Sequence, residues 1–243
     1  MFLRYSLLIL FLCFIAACTN TDETQFRFAS SGEFYPFSFV SDQGELQGYD
    51  IEVGKEIAKR LNLTPAPEMY KFAGLIEGVK SGRFDAAIAS HTITEERRQH
   101  LAFSTPYYYS GPMVFTRINE QFEGPEDLKN KKIAASKGST YVTIAKTFTD
   151  DVSIYDSDIT ALEALQNGRH DLVITDEIAG AMAIKRGLKI SPSLKLGVSE
   201  QAIAVSHKNP ELLEKINHAL QEMRDDGTLA KIGEKFLDKD ISK

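Results

Sequence analysis

The chain has 243 residues, of which 43% are hydrophobic and 26% charged, with a net charge of −6 at pH 7. These are globular values, and the length allows one large domain or two small ones. The acidic balance argues against a nucleic-acid partner and against attachment to an anionic membrane by charge alone.

The first segment, Met1 to Ala17, carries one charge, Arg4, ahead of the apolar run Leu7 to Ala17. That run is shorter than the ~20 apolar residues a spanning helix needs. A basic start, a short apolar stretch and small residues before a cut site predict a signal peptide over residues 1–17. Its end, Ile15-Ala16-Ala17-Cys18, resembles the lipobox of bacterial lipoproteins. The resemblance implies cleavage before Cys18 and a lipid (palmitate among its chains) on that residue, hence a membrane anchor. Thr19 to Gln25 then reads as a polar tether. Cys13 leaves with the signal, so no disulfide framework is predicted.

Beyond the tether, Phe26 to Ala29 reads as a strand, and Asp50 to Leu61 as a helix with Val53, Ile57 and Leu61 on one face. Leu75, Ile76 and Val79 predict a short helix, and Phe84 to Ala89 is long enough for a buried strand. Near the C-terminus, Asn209-Pro210 predicts a capped helix start, followed by the apolar face Leu212, Leu213, Ile216, Ala219, Leu220 and Met223. Gly227 stops that helix, Thr228 is placed to cap another, and the last helix ends near Leu237. The alternation predicts an α/β fold with largely parallel sheets.

Two internal echoes divide this pattern. Gly82-Arg83-Phe84-Asp85-Ala86-Ala87-Ile88 returns as Gly168-Arg169-His170-Asp171-Leu172-Val173-Ile174, each time after an apolar helix. Ala29-Ser30-Ser31-Gly32 returns as Ala135-Ser136-Lys137-Gly138. The matching order predicts two similar α/β lobes, too few for a solenoid.

Open parallel sheets bind ligands beyond the carboxyl ends of their strands. There the sequence places Ser31 and Phe34; Ser90, Thr92 and Arg97; Ser139 and Thr140; and Asp176. Such a set suits a free amino acid. Arg97 can clamp a carboxylate with parallel hydrogen bonds, helped by the hydroxyl of Thr92 and the helix start after Gly138. Asp176 can accept from the ammonium, and Phe34 and Phe72 can cover apolar parts. Other roles are open for the same residues: Asp176 as a helix N-cap, Phe34 and Phe72 as plain core, Arg97 and Arg98 as surface charges. The histidines show no metal-ligand spacing, and no phosphate loop, G-x-S-x-G or paired-cysteine motif is present, so no metal or cofactor is expected.

The run SHTITEERRQHLAFSTPYYYSG, Ser90 to Gly111, resembles the signature of the family 3 extracellular solute-binding proteins, the polar amino-acid receptors of ABC importers. GELQGYDIEVGKEIA (Gly44 to Ala58), EDLKNKKIAASKGST (Glu126 to Thr140) and DDGTLAKIGEKF (Asp225 to Phe236) extend the likeness over the mature chain in order. The resemblance implies a type II periplasmic-binding-protein-like fold. It has two lobes of mixed or parallel sheet flanked by helices, with the ligand cleft between them. Lobe one is residues 18–109 plus 203–243 and lobe two 110–202, with crossings near Tyr109-Ser110 and Gln201 to Ala204. It further implies that Arg97 and Thr92 bind the carboxylate and that Asp176 and the Ser90 carbonyl take the ammonium. Ser139 and Thr140 approach from the second lobe, while Ser31, Phe34 and Phe72 flank the side chain.

The implied function is capture of a small polar amino acid in the cell envelope and delivery to a membrane permease by a lipid-anchored monomer. Many relatives for cationic or amide side chains have aspartate where Ser31 stands, which argues against a basic ligand. His91 stands where the family is often small or aliphatic. Tyr107 to Gly111 and the C-terminal stretch look most like the cystine receptors. Two other classes compete. One is an exported cyclohexadienyl dehydratase on the same fold, for which Glu177 would be the general acid. The other is a sensor or adhesin that uses the lobes without transport.

Overall fold

A computed structural model describes residues 24–243. The expected signal segment 1–17 and the lipid-bearing Cys18 lie outside the described residues. The chain enters its first sheet with β1 (Gln25–Ser30), so the tether ends sooner than expected: the Thr24 carbonyl already accepts from the amide of Thr64. A small ribbon follows, β2 (Glu33–Phe34), β3 (Ser38–Val40) and β4 (Leu46–Gln47). Helix α1 (Tyr49–Arg60) leads to β5 (Thr64–Met69), a single turn at Phe72–Gly74, α2 (Leu75–Lys80) and β6 (Ala86–Thr92). Then come α3 (Glu95–Arg98), β7 (Ala102–Phe103) and β8 (Tyr108–Ser110). The second sheet starts with β9 (Pro112–Arg117) and continues through β10 (Ile133–Ser136), α4 (Thr140–Lys146), β11 (Val152–Tyr155) and α5 (Asp158–Gln166). It closes with β12 (Leu172–Asp176), α6 (Glu177–Lys185) and β13 (Ile190–Lys195). The chain returns through β14 (Ser199–Val205) and ends in α7 (Pro210–Asp225) and α8 (Thr228–Leu237).

The two large sheets share one plan. In the first, β5, β1 and β6 run parallel and β14 pairs antiparallel with β6. In the second, β11, β10 and β12 run parallel and β9 pairs antiparallel with β12. The antiparallel member is a crossing strand in each case, so the sheets are mixed rather than purely parallel. The chain changes sheet at Gly111 and again between Lys195 and Ser199. Ser199 to Gln201 then pair antiparallel with Tyr108 to Ser110 of β8.

The sequence echoes have a structural cause. Gly82 and Gly168 end their helices with φ of 79° and 74°, left-handed values that disfavour a Cβ. The next strand is then pinned by the aspartate of the echo. Asp85 accepts from the amide of Arg27 at 2.8 Å while its own amide donates to the Arg27 carbonyl. Asp171 makes the same pair of bonds with Lys132, at 2.9 and 3.0 Å. Apolar clusters cover both faces of each sheet: α1, α7 and α8 pack on one face of the first and α2 on the other. α4 packs on one face of the second sheet, and α5 and α6 on the other.

Some boundaries differ from the sequence pattern. β6 begins at Ala86, because Phe84 and Asp85 are used in the turn and the edge bond, and it runs on through Thr92. Thr228 is the first residue of α8 rather than its cap, since Gly227 (φ 75°) turns the chain there. Asn209 caps α7 as expected, accepting from the amide of Leu212. Leu212 and Leu213 are only half-buried, whereas Ile216, Ala219, Leu220 and Met223 are buried.

Asp85→Ala and Asp171→Ala should each lower the unfolding free energy by about 1–2 kcal/mol, because each leaves a strand-edge amide without its charged acceptor. The sites lie in different sheets, so the double variant should show the sum in urea titrations. A cost confined to one site would contradict the equivalence of the two units.

Candidate ligand-binding cleft

The cleft lies between the carboxyl ends of the parallel strands of both sheets. From the first it is lined by Ser31, Phe34, Phe72, Ser90, Thr92 and Arg97. From the second come Ser139, Thr140, Tyr141 and Asp158. It holds about 530 Å³ of empty space, part of it open to solvent, within the range of small-molecule sites.

Arg97 sits in α3, whose start is capped by Thr94 through a 3.1 Å bond from the Arg97 amide. Its side chain turns back into the cleft and is 7% exposed. Nη1 donates to the Thr92 carbonyl at 2.8 Å, and Nη2 reaches across to the Gly138 carbonyl of the other lobe at 2.9 Å. No carboxylate pairs with it among the described residues. Burial pushes the guanidinium down to about 10. Phe72 lies beside it, 5.8 Å from the guanidinium carbon, and stacks on the buried His91 at 4.6 Å. Burial, with the Arg97 charge next, holds His91 well below its ordinary pKa and therefore neutral.

Ser90 occupies a left-handed conformation (φ 57°) beside the register shift where β6 meets β14. A serine there needs support, and three bonds give it. The Ser90 amide donates to the Tyr107 hydroxyl at 2.9 Å, the Ser90 hydroxyl donates to Asp50 at 2.9 Å, and the Tyr107 hydroxyl donates to Asp50 at 2.6 Å. Asp50 stands in the first turn of α1, wholly buried. Burial raises its carboxyl to about 7, against the pull of the bonds from Tyr107 and Ser90. Tyr107 is thus a structural support behind the cleft.

On the opposite wall Ser139 holds the N-cap position of α4, and its hydroxyl donates to the Ser136 carbonyl at 2.7 Å. Gly138 has φ 79°, where a side chain is strained, and a Cβ there would press on Ala73 Cα of the first lobe at 3.0 Å, so both the backbone and the close approach favour glycine. Asp176 does not line the cleft. One of its oxygens caps α6 through the amides of Ile178 and Ala179, the other lies 3.5 Å from the Tyr141 hydroxyl, and burial raises it to about 6. Tyr141 stands between Asp176 and the open space, while Asp158 faces that space directly. Asp158 accepts from Thr175 at 2.5 Å and Ser136 at 2.9 Å.

The expected residues therefore converge, with Asp176 one layer behind the rest. Tyr141, Asp158 and its neighbour Asp156 were missed. Tyr141 lies in the first turn of α4, whereas the two aspartates follow β11, a short partly exposed strand whose VSIY pattern is weak; the strand-end rule applied at Tyr155 would have found both.

A two-lobed α/β chain with a polar cleft at the strand ends and a buried unpaired guanidinium is the architecture of a solute-binding protein. The chain belongs to the bacterial extracellular solute-binding proteins, family 3, whose pattern matches residues 26–239. It is 31% identical to the L-cystine-binding protein TcyJ of Escherichia coli K12, over 87% of this chain and 82% of that one. It is 30% identical to the ABC transporter arginine-binding protein 1 of the same organism, over 87% and 90%. Among solved structures, an ancestral arginine-binding protein bound to arginine superposes with a TM-score of 0.83 at 36% identity, covering 88% of this chain and 98% of that one. The ancestral amino acid-binding protein AncCDT-1, a precursor of cyclohexadienyl dehydratase, also gives 0.83, at 28% identity over 88% and 96%.

The Asp50 carboxyl sets a pH dependence. Between the ordinary value of 3.8 and about 7 the folded chain keeps a proton that the unfolded chain has lost. Stability therefore falls as pH rises through that window. Urea unfolding of the wild type should be less favourable at pH 5 than at pH 7.5, with a difference on the order of 2 kcal/mol from this group. Asp50→Asn should shrink that difference; an unchanged difference would show that Asp50 titrates normally.

Proposed function

We propose that this chain captures a free polar amino acid outside the cytoplasmic membrane and delivers it to an ABC permease. The observation that carries this reading is Arg97: a buried cation, held by carbonyl oxygens and facing an open cleft, lacks only an anion. The ligand carboxylate supplies it, with Thr92 adding a hydroxyl. The ammonium lies toward the Ser90 carbonyl and Asp176, with the Tyr141 hydroxyl alongside. Ser31, Phe34, Phe72, Ser139 and Thr140 enclose the rest. Lobe one takes residues 18–109 plus 203–243 and lobe two 110–202, with the crossings near Tyr109-Ser110 and Gln201 to Ala204. The ligand bridges the lobes and favours the closed form that the permease engages.

The relatives named for cystine and arginine support an amino-acid cargo, and Ser31 in the place of an aspartate favours a ligand that does not end in a cation. The enzymatic reading has less support. Its candidate acid, Glu177, is paired with Lys195 at 2.8 Å and does not line the cleft. Residues 1–17 act as an export signal, and Cys18 carries the lipid that holds a monomeric receptor in the cell envelope, on whichever membrane face the organism's envelope provides.

Thermal-shift and calorimetric screens of the chain lacking its first eighteen residues should find an amino acid that raises stability by ~2.7 kcal/mol at about 100 times its Kd. Its deaminated analogue should bind more weakly. Arg97→Ala should weaken the hit at least 100-fold while leaving the fold intact, since one partner of a desolvated pair is lost. Retained affinity, or turnover of prephenate in place of amino-acid binding, would overturn the receptor reading. In intact cells Cys18→Ser should move the protein from the membrane to the soluble fraction; unchanged fractionation would remove the lipid from the account.

A further inference from the structure

Two buried acids lie behind the cleft wall rather than in it, Asp50 in the first lobe and Asp176 in the second. Neither has a Lys, Arg or His among the described groups that act on it. The charged residues that line the cleft beside Arg97 and Asp158 are Glu33, Lys137 and Asp156, and all three are exposed, so solvent screens them. Asp50 reaches the cleft through one residue. Its two oxygens accept from the hydroxyls of Tyr107 and Ser90, at 2.6 and 2.9 Å. The Ser90 amide in turn donates to the Tyr107 hydroxyl at 2.9 Å. Ser90 lines the cleft, so a cleft residue has both its side chain and its backbone tied to one buried carboxyl.

The titratable groups around Asp50 are the phenols of Tyr107 and Tyr108 from the crossing segment, Tyr49 of its own helix, and Asp176 from the other lobe. Burial keeps all three phenols protonated. Arg224 of α7 and Asp240 of the C-terminal segment act on Tyr49. Burial, more than the like charge of Asp176, keeps a proton on Asp50 up to about 7. An ammonium beside Ser90 would bring the positive charge that this environment lacks. We infer that Asp50 is a positioning residue for the ligand's ammonium, acting through Ser90, and that binding drives the proton of the empty chain from Asp50 into solvent. The inference rests on the amino-acid reading above and adds a regulation to it. Proton and ammonium compete, so affinity rises with pH toward neutrality, whereas the stability of the empty chain falls over the same window.

The probes are two pairs, L-cystine with 3,3′-dithiodipropionate and L-glutamine with glutaramate, each an amino acid beside the same molecule without its amino group. Calorimetry should show the tighter amino acid binding about ten-fold better at pH 7.5 than at pH 5.5, and its deaminated partner changing by less than about two-fold. Heats in buffers of different ionisation enthalpy should report protons released at pH 6.5. Asp176 lies in the same field, so variants decide the assignment. Asp50→Asn keeps the shape and removes the charge; at pH 7.5 it should weaken the amino acid about ten-fold, leave the deaminated probe within about two-fold and flatten the pH profile. Tyr107→Phe removes a donor from the carboxylate and should move the profile to higher pH, a second reading should Asp50→Asn fail to fold. Equal losses for both members of a pair would assign Asp50 to the fold alone and overturn the inference. So would a wild-type affinity independent of pH. Those outcomes leave the receptor reading standing, whereas failure of cystine and of all twenty amino acids to bind would overturn that reading and this one with it.

Discussion

The guanidinium of Arg97 is buried, and its visible partners are two carbonyl oxygens from different lobes. Neutral acceptors offset only part of the cost of removing a full charge from water, a cost of several kcal/mol even after relaxation. The surrounding residues keep that deficit in place. The Thr94 cap fixes the short helix that carries Arg97, Phe72 and His91 close one side, and burial keeps His91 uncharged beside it. An anion entering the cleft meets a donor that has already lost its water and its freedom. The charged contact it makes is worth more than the same contact on a surface.

Precision at that point depends on scaffolding shared by the two sheets. In each, a left-handed glycine ends a helix and an aspartate locks the next strand to its parallel neighbour through a pair of edge bonds. The strand then carries its carboxyl end toward the cleft: Ser90 and Thr92 of β6 line it, and Asp176 of β12 lies one layer behind. The crossing segments are themselves paired, Ser199 to Gln201 against Tyr108 to Ser110. Two stiff bodies joined by a narrow two-stranded ribbon can change their separation with little internal distortion, which is the geometry of hinge closure.

Much of this was legible in the sequence, and the limits were physical. The Gly-Arg-x-Asp echo was readable because it encodes a backbone requirement and an edge bond, both local to the chain. Arg97, Ser139 and Thr140 were readable because they follow strands with strong apolar runs. Asp158 was not, because β11 is short and half-exposed and lacks the apolar run that betrays a buried strand. The support of Ser90 by Asp50 and Tyr107 joins residues 40 and 17 positions away. No local pattern announces such a contact. Asp176 was placed correctly on its strand end, but periodicity carries no information on depth, and Tyr141 stands in front of it.

The contacts between the lobes bear on how a ligand can act. Arg186 over Tyr35 is a cation–π contact at an exposed position, worth about 0.5–1 kcal/mol. The Lys185–Asp238 pair is exposed on both sides, so solvent screens most of its attraction. The bond from Arg97 to Gly138 uses a charge that a carboxylate would engage more strongly. Ile178, with the partly buried Met182 of the same helix, packs against the first core and buries apolar surface between the lobes. Each of these contacts is modest on its own, whereas a bound ion has differential contacts with both walls. A ligand shifts an equilibrium only by its differential affinity for the two states. Weak lobe contacts set beside a strong unmet charge are the arrangement in which a small molecule, rather than the protein, decides whether the cleft stays shut.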